Sequence, residues 1–452
     1  MNIIIAGDGQ VGSMLAKQLS TEGYNVTIID QNEQVLQDSV DRYDVNSVHG
    51  NCSSMRTLKH AGVPDADLLI AVTSSDEINL LCCTTAHALN PKLHTIARIR
   101  NPEYNEQIYA MRDIFGLSMI VNPENQAAVE IERLLKYPGF LRRDTFAKGR
   151  TEIVELRVDA NSPLCNTRLM DLRSVVKCQV LVCAVLRDGN ALAPNGNFVL
   201  LEGDRVFFTA LSANLTVLLK NLGILTKRVR RATLCGGERI SIYLANRLQR
   251  VGIETCIIEE SPVRCRQLCE LLPKCDIIHG DIRDHALLES EGIVGSDALV
   301  TLTNLDELNI ISSLFASAHD MHKVVTKLDN PIHRGVLDSL SLGSVVCPKE
   351  LCSNSIVRYV RAMQNQTGAA ISVHAIADGQ IEALEFKVEE STLHRGEPLS
   401  AISLKPNILV VSISHGAATE IANGSSAFTL GDYVVVVSNG GTPIRQLNDI
   451  FV

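Results

Sequence analysis

Short apolar runs alternate with amphipathic stretches through the first 135 residues. Segments 2–6, 25–30, 68–72, 95–100 and 119–121 read as strands, and a further short strand begins at Ser47-Val48. Between them, 11–22, 33–43, 54–61 and 77–89 carry the polar and apolar spacing of helices. The run Leu68-Leu69-Ile70-Ala71-Val72 has no polar alternation. Such a strand is buried on both faces, so the pattern predicts a parallel sheet covered by helices on each side. The texture changes after the break Tyr137-Pro138-Gly139. Segments 151–158 and 179–186 are rich in β-formers, Asp188-Gly189 and Pro194-Asn195-Gly196 are turn signals, 206–209 is a strand and 214–220 a helix. Two or three strands, a turn and a closing helix predict a small α+β unit.

The whole pattern then returns at an offset near 230. His49-Gly50 recurs as His279-Gly280, and Val72-Thr73-Ser74-Ser75-Asp76-Glu77-Ile78-Asn79 as Leu302-Thr303-Asn304-Leu305-Asp306-Glu307-Leu308-Asn309. Gly7 recurs as Gly236, Asn122-Pro123 as Cys347-Pro348, and Gly203-Asp204 as Gly431-Asp432. A full two-fold repeat with short loop indels follows. The expected divisions are 1–136, 140–223, 229–350 and 367–452, each half being one module. The basic run Lys227-Arg228-Val229-Arg230-Arg231 marks the junction as a solvated linker or strand start.

Gly7-Asp8-Gly9-Gln10-Val11-Gly12 fits G-x-G-x-x-G between a predicted strand and a predicted helix, the context that gives this motif meaning. Gly7 permits the tight turn, Gly9 lets backbone amides approach a pyrophosphate, and Gly12 lets the helix pack close to the sheet. The helix N-terminus offers unpaired N–H groups to the anion. Asp30 ends the second strand, where a carboxylate accepts ribose hydroxyls and repels a 2′-phosphate. That selects NAD or ATP over NADP. Thr73 and Ser74 follow the fourth strand at the sheet's carboxyl edge, where they either bond a ribose or phosphate or cap the next helix. Arg98 ends the next strand and either reaches phosphate or forms an edge ion pair. The expected fold is α/β, a tandem duplication of a Rossmann-like doubly wound parallel sheet with a small α+β subdomain in each half.

The second loop reads Gly236-Gly237-Glu238-Arg239-Ile240-Ser241. Glu238 replaces the glycine that approaches phosphate, Ser241 replaces the packing glycine, and Lys327 stands in for Arg98. Glu259 keeps the acid at the end of the second strand. The fold is expected to persist there while dinucleotide binding is in doubt.

Charge and composition narrow the field. The chain has 42 basic and 51 acidic residues, a net charge of -9, which argues against nucleic acid and against a polybasic membrane contact. No apolar run approaches the roughly 20 residues that span a bilayer. The opening MNIIIAGDGQ lacks a positive n-region, so an intracellular chain without membrane insertion is expected. The 13 Cys are scattered and read as small buried hydrophobes. Cys265 and Cys269 share a helix face with Cys275 nearby, but paired C-x-x-C spacing is missing, so no metal site is expected.

The strand–GDGQVG–helix segment, Asp30, AVTSSDEIN (71–79) and ARIRNPEY (97–104) closely resemble the regulator-of-potassium-conductance (RCK) domain family. EGDRVFF (202–208) and LGDYVVVV (430–437) resemble that family's small C-terminal subdomain. Two such modules in one chain are similar to cytosolic regulatory subunits of bacterial potassium transporters. The resemblance implies a ring, commonly a homotetramer, lying peripherally on the inner membrane face under a membrane potassium-translocating subunit and gated by NAD(H) or by ATP or ADP. It also implies nucleotide contacts from Gly7, Asp8, Gly9, Gln10, Val11, Asp30, Asn51, Cys52, Thr73, Ser74 and Arg98. The chain departs from the family at Asn51, where an acid is usual.

Three other readings compete. A nicotinamide-dependent dehydrogenase needs a separate substrate domain and a proton-transferring group beside the nicotinamide. The units after each α/β part are short, and His49 and His279 read as strand-end residues. A zinc site and a purely structural scaffold are the others, and the intact first loop counts against the scaffold.

Overall fold

The computed structural model describes residues 1–146, 149–224, 228–319, 321–330, 340, 342–363, 370–377, 380–416, 418–439, 444 and 446–452. The expected domain start at 367 and Lys227 of the basic run lie outside the described residues.

The first sheet holds β1 (Asn2–Ala6), β2 (Asn25–Asp30), β3 (Asn46–His49), β4 (Leu68–Ala71), β5 (His94–Arg98) and β6 (Met119–Val121), in the order β3-β2-β1-β4-β5-β6. All pairings are parallel, and β1 lies between β2 and β4 with Ile5 opposite Ile28 and Ile70. The order reverses beside β1, so the crevice of a doubly wound sheet opens between the loops that follow β1 and β4. Ile3, Ile5, Ile28, Leu68 and Ile70 are essentially sealed from solvent, as continuous apolar runs require.

A second sheet follows, with β7 (Arg142–Phe146), β8 (Thr151–Arg157), β9 (Val180–Arg187), β10 (Asn190–Leu192) and β11 (Arg205–Leu211), ordered β10-β9-β11-β8-β7 and antiparallel. It has five strands, against the two or three expected. The edge strand β7 reads RRDTF, and its charges hide it from a search for apolar alternation. The second half repeats both sheets. β12 (Arg231–Cys235), β13 (Glu254–Glu259), β14 (Asp276–His279), β15 (Ala298–Thr301), β16 (Lys323–Lys327) and β17 (Ser344–Val346) run β14-β13-β12-β15-β16-β17. β18 (Ala370–Ile376), β19 (Ile381–Lys387), β20 (Ile408–His415), β21 (Ala418–Ile421) and β22 (Tyr433–Ser438) run β18-β19-β22-β20-β21. Arg231 of the basic run begins β12, and the backbone N–H groups of Arg230 and Arg231 donate to Asp297.

Two long helices join the parallel sheets to the antiparallel ones, and each packs on the opposite module. The first crossover helix, Pro123–Lys136, starts on an Asn122 cap whose Oδ1 accepts the Asn125 N–H at 2.8 Å, with proline at its first position. Its Ala127, Ala128, Ile131, Leu134 and Leu135 enter the core of the second parallel sheet, beside Leu234, Leu244 and Ile257. The second crossover helix, Pro348–Met363, returns the exchange. Cys352, Ile356, Val357 and Val360 join Val11, Leu15, Ile28 and Ile70 in the first module's core. Each buried Ile, Leu or Val contributes roughly 1.5–3 kcal/mol, so the exchange binds the halves through core burial. The two antiparallel sheets also meet face to face, with Phe146, Cys183 and Phe207 against Ile376, Ile381, Val411 and Val435.

Candidate functional site

Every residue singled out in the first module falls at the carboxyl edge of the first parallel sheet. Gly7 follows β1 at φ +102°, and a Cβ there would lie 2.9 Å from the Thr73 nitrogen. Only glycine lets these two loops close on each other. Its N–H donates to the Ile29 carbonyl at 2.8 Å. At Gly12 a Cβ would press into the Gly7 carbonyl, so the helix Gln10–Thr21 approaches the strand as the motif requires. Gly9 is exposed, and a Cβ there would meet nothing within 4 Å, which leaves open space at the helix start. That helix has Gly9 as N-cap and no side-chain cap. Its first-turn amides are left without a side-chain cap, the arrangement that suits an anion. Val11 is buried in the core and offers only its backbone.

Asp30 is held in place rather than left loose. Its Oδ2 accepts the Asp8 N–H at 2.7 Å and its Oδ1 accepts the Asn32 N–H at 2.9 Å. Asn32 caps the next helix. A shallow open depression beyond it is lined by Gln31, Asn32, Glu33, Gln34, Gln37 and His49. Asp8 is 2% exposed, and neither carboxylate oxygen has a hydrogen-bond partner. Burial pushes its carboxyl up to about 6, with Asp30 and Asp38 adding repulsion and the nearby Ser39 hydroxyl opposing.

The remaining positions differ in where they face. Asn51 is exposed, and its Oδ1 accepts the Ser53 N–H at 2.9 Å in a local turn. Cys52 is buried in the core with Cys82, whose thiol holds that of Cys52 below the usual range. Its thiol is thus turned into the core. The Thr73 hydroxyl donates to Asn79 Oδ1 at 2.7 Å, while the Ser74 side chain is exposed and Ser75 is the cap of the following helix. The Arg98 guanidinium donates to the Thr73 carbonyl at 2.6 Å, and its buried Nε has no partner. Arg98 thereby ties the end of β5 to the loop after β4.

Sequence reasoning missed what fixes this edge. Asn79, fully buried, accepts from the Thr73 N–H at 2.8 Å and donates to the Arg98 carbonyl at 2.8 Å. Asp76 accepts the backbone N–H groups of Arg100 and Asn101 at 2.8 Å each. Asn309 and Asp306 repeat both patterns in the second module. The signal was the repeated D-E-x-N, which served only to align the halves. His49 and His279 likewise make one matched contact each, to the carbonyls of Gln31 and Glu260 at 3.0 and 3.1 Å.

The second crevice has the same frame and different contents. Gly236 keeps φ +107°, and Glu259 accepts the Gly237 and Ser261 N–H groups at 2.8 and 2.9 Å. Glu238 reaches the loop after β15, where its Oε1 accepts the Asn304 amide at 3.0 Å. A carboxylate thus lies where the first module leaves open space. Ser241 is tolerated at the packing position because its hydroxyl donates to the Gly236 carbonyl. Lys327 donates to the Thr303 carbonyl and to Asp329, at 3.1 and 2.8 Å.

A cavity of about 1240 Å³ lies elsewhere, between the two halves, and none of the candidate nucleotide contacts lines it. Cys265 and Cys275 donate to the carbonyls of Glu259 and Thr255 at 3.4 and 3.1 Å, as small core residues do. Among the described residues, no helix is long and apolar enough to cross a membrane.

Known proteins share this arrangement. The TrkA-N domain family matches residues 3–123 and 232–348, more than half of the chain, and the TrkA-C domain family matches 153–223. The Trk system potassium uptake protein TrkA of Halomonas elongata is 30% identical over 457 residues, covering 100% of this chain and 98% of that one. That of Vibrio alginolyticus is 31% identical over 442 residues, covering 96% and 95%. A TrkA homolog from Archaeoglobus fulgidus is 28% identical along the full length of both chains. Among solved structures, the GsuK RCK domain gives a TM-score of 0.60 at 16% identity, covering 97% of this chain and 92% of that one. A GsuK channel bound to NAD gives 0.59 at 18% identity, covering 97% and 76%. Two parallel crevices in tandem, their paired antiparallel sheets and full-length similarity at about 30% identity place the chain in the TrkA family of Trk-system potassium uptake proteins.

Proposed function

We propose that this chain is a nucleotide-sensing regulatory subunit of a Trk-type potassium uptake system. It binds NAD(H), or alternatively ATP or ADP, in its first module. It acts on a membrane potassium-translocating partner from the inner membrane face, assembled as a ring of copies, a homotetramer by family analogy. The observation that carries this reading is the contrast between the two crevices. The first has an uncapped helix N-terminus, open space at Gly9 and an ordered Asp30 carboxylate. The second has Glu238 at the place of Gly9, its carboxylate bonded to Asn304. A nucleotide would place its pyrophosphate on the amides of Gln10 and Val11 and its ribose hydroxyls on Asp30. Asn51 and the backbone at Cys52 border the far side, and Thr73, Ser74 and Arg98 the near side. The parallel with a GsuK channel bound to NAD supports the choice of ligand class. Regulation requires that the ligand prefer one arrangement of the ring, because a ligand shifts an equilibrium only by its differential affinity. Oxidoreductase chemistry is the alternative, and the two strand-end histidines bonded to backbone carbonyls give it no support.

Titration calorimetry of the full chain with NADH, NAD+, ATP, ADP and NADPH tests the reading. One site per chain is expected, weakest for NADPH, lost in Asp30→Ala and kept in Glu259→Ala. Two sites per chain would overturn the reading of Glu238, and absence of binding would overturn the sensor.

A further inference from the structure

The exchange of crossover helices carries the first turn of each helix to the other module's glycine loop. At an offset of 225 to 229, Lys349 corresponds to Glu124 and Arg239 to Gln10. At the second loop the visiting residue is an acid. Glu124 is half-buried close to Arg98, Arg100 and Arg239, and loss of solvent is what raises its carboxyl. At the first loop the visiting residue is a cation. The Lys349 ammonium meets the side-chain carbonyl of Gln10, the first residue of the uncapped helix. Its other neighbour is Asp329 Oδ1 at 3.6 Å, too long for a strong bond, and that carboxylate is already bonded to Lys327 at 2.8 Å. Lys349 is 22% exposed, so the ammonium can turn without unpacking the helix that carries it. Its stem rises one turn before Cys352, which is buried in the first module's core.

We infer that Lys349, supplied by the second module, completes the first module's nucleotide crevice as a phosphate contact and sets its preference among adenine nucleotides by phosphate charge. This rests on the function proposed above and deepens it. An ammonium on a flexible stem beside Gln10 adds a movable charge where the helix dipole is already positive. A ligand with more phosphate charge at that end draws Lys349 off Asp329, and the pull passes to the second crossover helix. The phosphates thereby act on the joint between the halves, which is what a sensor needs. The second crevice differs: its visiting residue is an acid among arginines, and the Glu238 carboxylate disfavours an anion there.

The test is calorimetric titration of full-length wild type, Lys349→Ala, Lys349→Gln, Lys349→Arg and Asp30→Ala with ATP, ADP, NADH and phosphate-free adenosine. Lys349→Ala is expected to weaken ATP about tenfold, as loss of one charge-assisted contact does, with a smaller effect on ADP and none on adenosine. Lys349→Arg is expected to retain most of the affinity. If Lys349→Ala lowers the melting temperature of the ligand-free protein, Lys349→Gln, which keeps the stem, decides in its place. Equal ATP affinity of the neutral variants and wild type overturns the inference while binding lost in Asp30→Ala leaves the proposed function standing. An equal loss for adenosine overturns the phosphate contact. Absence of binding by wild type overturns both.

Discussion

At the scale of single residues, Asp8 stands out as a carboxylate buried without a partner beside a second carboxylate. The repeat shows what relief looks like. Gly237 replaces it in the second module, and the space is filled by Leu268 in place of Ser39. Because burial raises the Asp8 carboxyl from 3.8 to about 6, the folded chain holds that proton more tightly than the unfolded chain between those values. Its contribution to stability therefore falls as pH rises through that window, and the full penalty stands above about 6. Asp8→Asn is expected to stabilise the protein at pH 7.5 by about 1–2 kcal/mol and to flatten the change between pH 4 and 6. Urea unfolding at several pH values reads this, and an unchanged profile would mean that the carboxyl is solvated.

At the scale of elements, the crossover helices matter more than their length suggests. Ile356 is fully buried, belongs to the second half in sequence and packs in the first half's core. Ile356→Ala is expected to cost about 2–5 kcal/mol. Hydrogen exchange should quicken at β1 and β2 before β12 and β13. Loss confined to the second sheet would contradict the exchanged packing. Sequence reading located β1, β2 and β6 at their observed bounds, because continuous apolar runs between turn signals have few alternative assignments. It missed the helix Pro123–Lys136 and the edge strand β7. The face of an amphipathic helix shows that something covers it, not which sheet does. A charged edge strand has no apolar alternation to read.

At the scale of the whole molecule, one chain behaves as a dimer of its own halves. Lys323, fully enclosed in β16, joins them further. Its ammonium donates to the carbonyls of Pro138 and Phe140 at 3.1 and 2.7 Å and to Ser344 at 2.8 Å. The His374 ring contacts Asp144 at 2.9 Å between the antiparallel sheets. A chain ending at residue 223 would expose Ile131, Leu134 and Leu135, a patch that soluble monomers rarely leave open. Such a half is expected to dimerise or aggregate, and mixing it with residues 229–452 should give a one-to-one complex by light scattering. A stable monomeric first half would contradict this.

The sequence by itself determined what depends on local geometry and on repetition: the strand periods, the glycine positions that need a positive φ or a close approach, the acid at the end of β2, and the duplication. Within the candidate site it placed the loop, Asp30, Thr73 and Arg98 at one sheet edge, because strand ends in a parallel sheet converge there. Only the tertiary structure decided which way those side chains face: Cys52 inward, Arg98 back onto Thr73, Glu238 across to Asn304 in the loop after β15. It alone assigned each crossover helix to the opposite module and brought Lys349 to Gln10 across 339 residues. Spacing along a chain constrains neighbours within a few residues, whereas a contact of that separation depends on how two complete cores close on each other.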